Sequence, residues 1–172
     1  AVVLGAGTAG LTAGLYVARA GLKTIVLETK SPGGQFLLTD HIFNYPGFPD
    51  GITGRNLADL FQGQAEKYGC HIITRVGSVG LSNSETGLSV STSKETYETK
   101  TVVIATGGAP RRLNAPGEKR LSGAGISYCA VWDANFFDGV DVAVIGGGDS
   151  ALEEAAYLSR ITEDVRFYRM GH

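Results

Sequence analysis

Apolar and polar positions follow one arrangement that occurs twice along the chain. Near the start, a short apolar run at 2–4 leads into glycines, then into leucines at helical spacing, and then into a second apolar run at 24–27. Near the end, an apolar run at 140–145, a glycine turn, a helical pattern and a last run at 165–168 repeat that order. Each set predicts a strand, a helix and a second strand, the right-handed βαβ unit of a parallel sheet.

The segment between these two units differs in its composition and in the spacing of its apolar residues. Residues 31–55 are crowded with proline and glycine, which predicts a long loop of the kind that usually carries function. Leucines and aromatic residues at 57–68 then predict a helix, and a buried apolar run at 101–105 predicts one more strand. Stretches of alternating apolar and polar residues predict three antiparallel strands, at 71–76, 88–91 and 95–98.

These elements predict an α/β protein with two Rossmann-like dinucleotide-binding domains, built in three layers with an antiparallel β-meander. We expect the first domain at 1–110, a glycine-rich and charged linker at 111–125, and the second domain at 126–172. A single βαβ unit cannot complete a doubly wound domain. The second domain is therefore expected to be truncated, as a fragment of a longer polypeptide would be.

The first glycine turn, at 5–10, fits the dinucleotide-binding fingerprint G-x-G-x-x-G. Because glycine makes up 25 of 172 residues, the motif is informative only through its place between a strand and a helix. There Gly5 makes the tight turn, Gly7 lets backbone amides approach a pyrophosphate, and Gly10 lets helix and strand pack closely. Glu28 ends the following strand, where an acid accepts hydrogen bonds from ribose hydroxyls.

The second glycine turn, at 146–151, fits the variant of this fingerprint that ends in alanine. No acid stands at the end of the following strand, and Arg169 occupies that place. A guanidinium suits a 2′-phosphate, so the residues themselves favour NADPH over NADH, with an ordinary exposed cation as the alternative explanation. Two dinucleotide folds in one chain indicate electron transfer between two carriers, because nicotinamide delivers a hydride that a flavin accepts.

Composition and charge narrow the classes of function. A net charge of −2 gives no basic footprint for nucleic acid, and no apolar stretch approaches the roughly 18 residues that a membrane span needs. The two cysteines, Cys70 and Cys129, are too few for a disulfide scaffold, which favours a reducing, cytoplasmic location. The three histidines show no metal-ligand spacing, so we expect no metal site.

Together these motifs resemble the low-molecular-weight thioredoxin reductases, flavoproteins of the pyridine nucleotide-disulfide oxidoreductase superfamily. Gly33-Gly34-Gln35 and the run Asn44-Tyr45-Pro46-Gly47-Phe48-Pro49 resemble that family's flavin-contacting loop, and Ala105-Thr106-Gly107 resembles its A-T-G segment. The resemblance covers the whole chain. It implies FAD in the first domain, NADPH in the second, a C-terminal segment beyond this chain that completes the flavin domain, and a homodimer.

The residues and the resemblance together give two sets of candidate cofactor contacts. The FAD set comprises Gly5, Gly7, Thr8, Ala9, Gly10, Glu28, Gly33, Gly34, Gln35, Asn44, Val76, Ala105, Thr106 and Gly107. The NAD(P)H set comprises Gly146, Gly148, Asp149, Ser150, Ala151 and Arg169.

The chain departs from the family at its redox-active pair. The family carries Cys-x-x-Cys-Asp, whereas this chain reads Cys129-Ala130-Val131-Trp132-Asp133. A lone thiol cannot form the internal disulfide that stores two electrons, although an indole could cover the flavin by stacking. The candidate catalytic residues are Cys129, as a reactive thiol or a small core residue, Trp132, and Asp133, as a proton donor or a helix N-cap.

A second departure concerns the nicotinamide cofactor. The family has a His-Arg-Arg run whose arginines hold the 2′-phosphate, and the aligned residues here are Arg169, Met170 and Gly171. The arginine pair is thus absent, and Arg169 falls on the histidine. The resemblance and the reading from the residues therefore disagree about which residue would select NADPH.

Three functions stay open at this point. The leading one is an FAD-dependent oxidoreductase resembling thioredoxin reductase, which takes a hydride from NAD(P)H and passes electrons to a thiol/disulfide or protein acceptor. The alternative within enzymes is a ferredoxin- or flavodoxin-NADP reductase, which needs no second cysteine. The alternative outside them is an FAD-binding electron-transfer module without nicotinamide activity. The corresponding partner is a thioredoxin-like protein, a ferredoxin or a flavodoxin.

Overall fold

The computed structural model describes residues 1–131, 133 and 137–169. The chain divides into two compact units. The amino-terminal unit comprises residues 1–41 and 51–109, and the carboxy-terminal unit comprises residues 42–50 together with those from 110 onward. The predicted linker, 111–125, thus falls inside the carboxy-terminal unit, and so does part of the proline- and glycine-rich loop.

The first 109 residues alternate strands and helices before they reach a run of strands. In chain order these elements are β1 (Val2–Leu4), α1 (Thr8–Arg19), β2 (Ile25–Glu28), a 3-10 helix (Gly34–Leu38), β3 (His41–Ile42), β4 (Ile52–Thr53), α2 (Gly54–Lys67), β5 (His71–Thr74), β6 (Val79–Ser84), β7 (Gly87–Thr92), β8 (Thr96–Thr99) and β9 (Val102–Ile104).

The amino-terminal unit is built on a parallel sheet with the strand order β5-β2-β1-β9. Neighbouring residues of β1 point to opposite faces, as a strand requires. Val3 packs with Leu11 and Leu15 of α1 on one face, and Val2 packs with Val76 and other buried residues on the other. Because both faces are covered, β1 is apolar throughout, as the predicted three-layer fold requires.

One strand prediction is wrong. Residues His71–Thr74 form β5, which runs parallel to β2 in the main sheet, rather than belonging to the antiparallel meander. Ile72 packs against the helix-side core and Ile73 against the opposite core, so β5 is half-buried with contacts on both faces. The third meander strand is β6, at Val79–Ser84, which pairs with β7 as β7 pairs with β8.

The carboxy-terminal unit contains the second predicted βαβ arrangement. After a short helix α3 (Glu118–Leu121), it comprises β10 (Val142–Ile145), α4 (Asp149–Leu158) and β11 (Val165–Tyr168). β10 and β11 are parallel and pair from Val142 with Val165 onward. The buried residues Ala130, Val144 and Leu158 form the centre of its core.

Among the described residues, no helix combines the length and the apolar character that crossing a bilayer requires. Within the same residues, no group of three or more His, Cys, Asp and Glu side chains is arranged to hold a metal ion.

Candidate functional site

The first glycine turn leaves no room for side chains at two of its glycines. Gly5 has a φ of +100°, and a Cβ there would overlap the carbonyl oxygen of Ala105 at the end of β9. A Cβ at Gly10 would overlap the carbonyl oxygen of Gly5 and lie 2.9 Å from its carbonyl carbon. The turn, α1 and the end of β9 therefore pack backbone against backbone, which supports the tight-turn and close-packing roles predicted for these glycines.

Gly7, the middle glycine of this turn, faces the glycines of the long loop. A Cβ on Gly34, which has a φ of +57°, would lie 2.9 Å from the Cα of Gly7. The N–H of Gly33 donates a hydrogen bond to the carbonyl of Ala6 at 2.8 Å, which holds the loop in this position. The two main chains thus approach each other without intervening side chains.

The amino terminus of α1 opens at the same place. Gly7 is its N-cap and no side chain of the described residues caps it, so the first amides of the helix, from Thr8 and Ala9, have no partner within the helix. Such an end attracts an anion through its free N–H groups and the helix dipole. This geometry fits a diphosphate.

Glu28 fastens the end of β2 to the first glycine turn. Its Oε2 accepts a hydrogen bond from the Ala6 N–H at 2.8 Å. Its Oε1 accepts one from the Lys30 N–H at 2.8 Å and lies 3.4 Å from the Thr29 hydroxyl oxygen. A carboxylate oxygen accepts about two hydrogen bonds, so Oε2 keeps capacity for a ligand hydroxyl.

Two other candidate flavin contacts, Gln35 and Asn44, belong to different units of the chain. The Gln35 side-chain amide donates to the Gly108 carbonyl, which ties the loop to the segment containing Thr106 and Gly107. Asn44 belongs to the carboxy-terminal unit, where its side-chain nitrogen lies 3.5 Å from the Val131 carbonyl oxygen.

Val76, another candidate flavin contact, lies in the core of the amino-terminal unit. Its side chain is 1% exposed and forms part of the core. Its N–H donates to the Glu28 carbonyl, and its own carbonyl accepts from Ser93. Both backbone groups are therefore already satisfied within the protein.

The second glycine turn is more open than the first. Gly146 donates its N–H to the Tyr168 carbonyl at 3.0 Å, and a Cβ on it would lie 2.7 Å from that of Ala151. Gly148 caps α4 without a side-chain hydrogen bond, and a Cβ on it would meet no described atom within 4 Å. The first turn of α4 begins with Asp149 and Ser150, so an acidic side chain stands at this helix end.

Arg169 lies beside this second turn. A Cβ added to Gly147 would lie 3.3 Å from the Arg169 Cγ and 3.8 Å from its Nε. The side chain thus runs along the glycine turn, and residue 169 is exposed. This placement suits a cation that meets a phosphate at the end of β11.

The candidate catalytic residues Cys129 and Asp133 share a small hydrogen-bonded network, while Trp132 lies outside the described residues. The Cys129 N–H donates to the Ser127 hydroxyl oxygen at 3.0 Å. The Ser127 hydroxyl in turn donates to Oδ2 of Asp133 at 2.5 Å, and the Asp133 N–H donates to the Cys129 carbonyl at 3.2 Å. Sequence reasoning missed Ser127, and its position two residues before a cysteine is a weak signal.

A second carboxylate belongs to the same neighbourhood. Burial raises the pKa of Glu154 on α4, a hydrogen bond from the Ala130 backbone opposes that shift, and the nearby charge of Asp133 adds to it. The segment around Cys129 is therefore lined by two acids.

Cys70, the other cysteine, is placed as a structural residue. It is 3% exposed in the helix-side core. Burial, and then the charge of Glu66, raise the pKa of its thiol. A buried thiol with a raised pKa is unreactive, which agrees with its predicted structural role.

Comparisons with known proteins agree along nearly the whole chain. A model of the pyridine nucleotide-disulphide oxidoreductase family matches residues 1–171. The chain is 46% identical over 165 residues to the bifunctional thioredoxin reductase/thioredoxin of Mycobacterium leprae, covering 95% of this chain and 36% of that protein. It is 42% identical over 164 residues to the thioredoxin reductase of Peptoclostridium acidaminophilum, covering 95% of this chain and 51% of that protein.

A solved structure gives the same picture in three dimensions. The fold is similar to that of the thioredoxin reductase from Streptococcus pyogenes MGAS5005, with a TM-score of 0.87 and 43% identity, covering 96% of this chain and 54% of that one. The chain thus spans about half the length of the thioredoxin reductases it matches.

Proposed function

Because this chain belongs to the pyridine nucleotide-disulphide oxidoreductase family, we propose that it is part of an enzyme that moves a hydride from NADPH to FAD. Bound FAD would supply the chemistry that delivers the electrons to a disulfide or to a protein acceptor. The relatives at 42% and 46% identity are named as a thioredoxin reductase and as a bifunctional thioredoxin reductase/thioredoxin, which supports this reaction type.

The observation that carries the proposal is the cradle at the first glycine turn. There Gly7 and Gly34 bring two bare main chains together beside the uncapped end of α1. We propose that Gly7, Thr8 and Ala9 bind the diphosphate of FAD through their amides and that Glu28 binds a ribose hydroxyl. Bound FAD would supply the hydride acceptor.

The NADPH site is proposed at the second glycine turn. Gly148 and the first amides of α4 would hold the diphosphate. Arg169, which runs along Gly147, would meet the 2′-phosphate with its guanidinium. The acidic Asp149 at the same helix end weakens anion binding there, which makes the cation at Arg169 more important.

Anaerobic reduction of the flavin tests the proposal directly. The full-length protein is loaded with FAD and mixed with NADPH, and the flavin absorption band is followed in a stopped-flow instrument. We expect rapid bleaching. Absence of bleaching with both NADPH and NADH at millimolar concentration would favour the electron-transfer module instead.

The acceptor is a separate proposal, because the family resemblance implies that Trp132 falls at the position of the second redox-active cysteine. We propose that thioredoxin reduction by this chain is weak, with a ferredoxin- or flavodoxin-type protein as the alternative acceptor. Turnover is measured with each acceptor, in the wild type and in Trp132→Cys. A rise in thioredoxin-dependent turnover in the variant supports the proposal, and robust thioredoxin reduction by the wild type contradicts it.

The assembly and location are proposed from the family resemblance and from the cysteine content. We propose a homodimer that works in the cytoplasm, where two unpaired thiols stay reduced. Sedimentation of the full-length protein would test the dimer, and fractionation of the cells that produce it would test the location.

A further inference from the structure

Arg75 has an unusual backbone conformation just after the end of β5. Its φ is +56°, which places a residue with a long side chain in the left-handed region that glycine usually occupies. Among the described residues, the other non-glycine residue with a positive φ is Asn114. Asparagine tolerates this region because its short side chain forms local hydrogen bonds, whereas arginine has no such compensation. The surrounding structure must therefore hold Arg75 in this conformation.

The residues on either side of Arg75 are fixed by hydrogen bonds. Thr74 pairs with Glu28 in the ladder between β5 and β2. The Val76 N–H donates to the Glu28 carbonyl at 3.2 Å, and the Val76 carbonyl accepts from the N–H and the hydroxyl of Ser93 at 3.1 and 2.8 Å. Arg75 thus joins two anchored residues, while its own side chain is exposed. It belongs to no ion pair in the described part of the chain.

The position of Arg75 in the sheet places it beside the candidate FAD contacts. The parallel sheet has the strand order β5-β2-β1-β9, so the carboxyl ends of β5, β2 and β1 lie side by side at one edge. The first glycine turn follows β1, Glu28 ends β2, and Arg75 follows β5. Adjacent strands lie about 4.8 Å apart.

The order of these groups matches the order of groups in a dinucleotide. A dinucleotide crosses such an edge with its diphosphate at the glycine turn and its ribose at the acid that ends the next strand. One more step in the same direction leads from the ribose to the base and from β2 to β5. Arg75 therefore stands where the base is expected.

We propose that Arg75 binds the adenine of FAD by laying its guanidinium against the base. This inference rests on the proposed function, since it takes the first glycine turn as the FAD site. A guanidinium is planar and always charged, and it stacks on flat aromatic systems. Glu28 suits a ribose with free hydroxyls rather than a 2′-phosphate, which leaves the base as the partner of the cation. The left-handed backbone of Arg75 is then a strained conformation kept at a binding site.

The direct test compares FAD dissociation constants among variants of the full-length protein, freed of flavin and titrated with FAD while flavin fluorescence is followed. Arg75→Ala keeps a Cβ and removes the guanidinium, and we expect the dissociation constant to rise about five- to tenfold. Arg75→Lys keeps the charge without the plane, and we expect a rise of about threefold or more. An unchanged value in Arg75→Ala would overturn the proposal. Wild-type affinity in Arg75→Lys would also overturn it, because charge alone would then suffice.

A pair of nucleotides shows whether Arg75 contacts the base itself. ADP and UDP share a ribose and a diphosphate, but a purine offers two fused rings to a stacking group and a pyrimidine offers one. We expect ADP to displace FAD from the wild type at a concentration roughly three- to fivefold below that of UDP, and Arg75→Ala to reduce this preference. The same preference in both proteins would contradict the proposal.

Two glycine variants separate the backbone conformation from the side chain. Arg75→Gly removes the guanidinium and also relieves the left-handed strain. We expect it to bind FAD as weakly as Arg75→Ala does, while the flavin-free protein melts about 1–3 °C above the wild type. Asn114→Gly changes the other left-handed residue, in the carboxy-terminal unit, and should leave FAD affinity unchanged. Wild-type FAD affinity in Arg75→Gly would contradict the proposal.

None of these measurements uses NADPH, so failure of the proposed hydride transfer would not be confused with failure of this inference. A wild type that binds and reduces FAD, with an Arg75→Ala variant that binds it equally well, would contradict this inference alone. A wild type that bound neither FAD nor ADP would contradict both.

Discussion

The two glycine turns share a sequence pattern, but neighbouring atoms crowd the glycines more closely in the first turn than in the second. In the first, Gly5 adopts a φ of +100° against the backbone of Ala105, and β1 leads into it with residues that are at most 8% exposed. In the second, a Cβ on Gly148 would meet no described atom within 4 Å, and Ile145 at the end of β10 is 47% exposed. Gly146, which matches Gly5 in the motif, would meet the Cβ of Ala151 at 2.7 Å, so backbone atoms crowd the first turn whereas a side chain crowds only one end of the second.

The charge at the end of the following strand also differs. The first turn is tied to Glu28, whose carboxylate accepts the N–H groups of Ala6 and Lys30. The second turn is lined by Arg169. A carboxylate matches ribose hydroxyls and a guanidinium matches a phosphate, so the difference supports separate cofactors for the two turns.

The largest expected difference comes from adding a methyl group to each turn. Gly10→Ala would place a Cβ against the carbonyl of Gly5, which cannot yield without moving the turn. We expect a loss of about 3 kcal/mol in the free energy of unfolding, measured by urea denaturation. Gly148→Ala should cost less than about 1 kcal/mol, because its Cβ enters open space. Equal losses would remove the contrast in packing.

The sequence predicted the two βαβ units because their buried strands and glycine turns are local signals. Val2, Val3 and Leu4 are apolar on both faces, and the glycines stand between a strand and a helix. The same local logic failed at His71–Thr74, whose parallel partner, β2, lies more than 40 residues earlier in the chain. It also missed β6, because only Val79 and Leu81 are apolar in that exposed strand.

Contacts made by polar side chains were harder to predict than the glycine turns. That Glu28 would end β2 near the turn followed from its spacing, but its hydrogen bond to the Ala6 amide depends on the folded loop. Ser127 joins Cys129 and Asp133 through a turn that has no periodic signature. Such contacts are set by tertiary geometry and leave no repeating pattern in the sequence.

Replacing the acid of the first turn should weaken FAD binding more than stability. Glu28→Gln keeps one acceptor oxygen but loses the charge that strengthens the hydrogen bonds to Ala6 and Lys30. We expect the FAD dissociation constant to rise about 10- to 100-fold, measured by flavin fluorescence titration. Glu85→Gln, an exposed acid between β6 and β7, should leave it unchanged. Unaltered FAD affinity in Glu28→Gln would mean that the carboxylate serves only the backbone.

Removing the cation of the second turn should change selectivity between the two nicotinamide cofactors. We expect Arg169→Ala to raise the KM for NADPH about tenfold and to leave the KM for NADH within about twofold, because only NADPH carries the 2′-phosphate. Arg166→Ala is the matched control, since Arg166 lies on β11, which ends just before Arg169, and is already paired with Asp164 at 3.0 Å. A parallel rise for both cofactors would place Arg169 away from the 2′-phosphate.

The smallest effect should come from Glu118, a buried acid of the carboxy-terminal unit. Glu118 is 3% exposed and accepts hydrogen bonds from the Tyr128 hydroxyl at 2.7 Å and from the N–H groups of Leu113 and Asn114. The Tyr128 hydrogen bond is the largest of the causes that hold the pKa of Glu118 below its ordinary 4.5. The same hydrogen bond is the main cause that raises the pKa of Tyr128 above its ordinary 10.0.

Each shift predicts one edge of a window of pH in which this unit is most stable. A lowered carboxyl pKa stabilises the fold above pH 4.5, and this contribution is lost as the pH falls through the folded-state value. A raised tyrosine pKa stabilises the fold below pH 10.0, and this contribution is lost as the pH rises through the folded-state value.

Tyr128→Phe should lower the melting temperature by roughly 3–6 °C at neutral pH and weaken its dependence on pH at both edges. Glu163→Gln, an exposed acid of the same unit, should change neither. If Tyr128→Phe kept the wild-type profile, the carboxylate of Glu118 would be held by the backbone amides of Leu113 and Asn114 alone, just as Glu28 is held by the amides of Ala6 and Lys30.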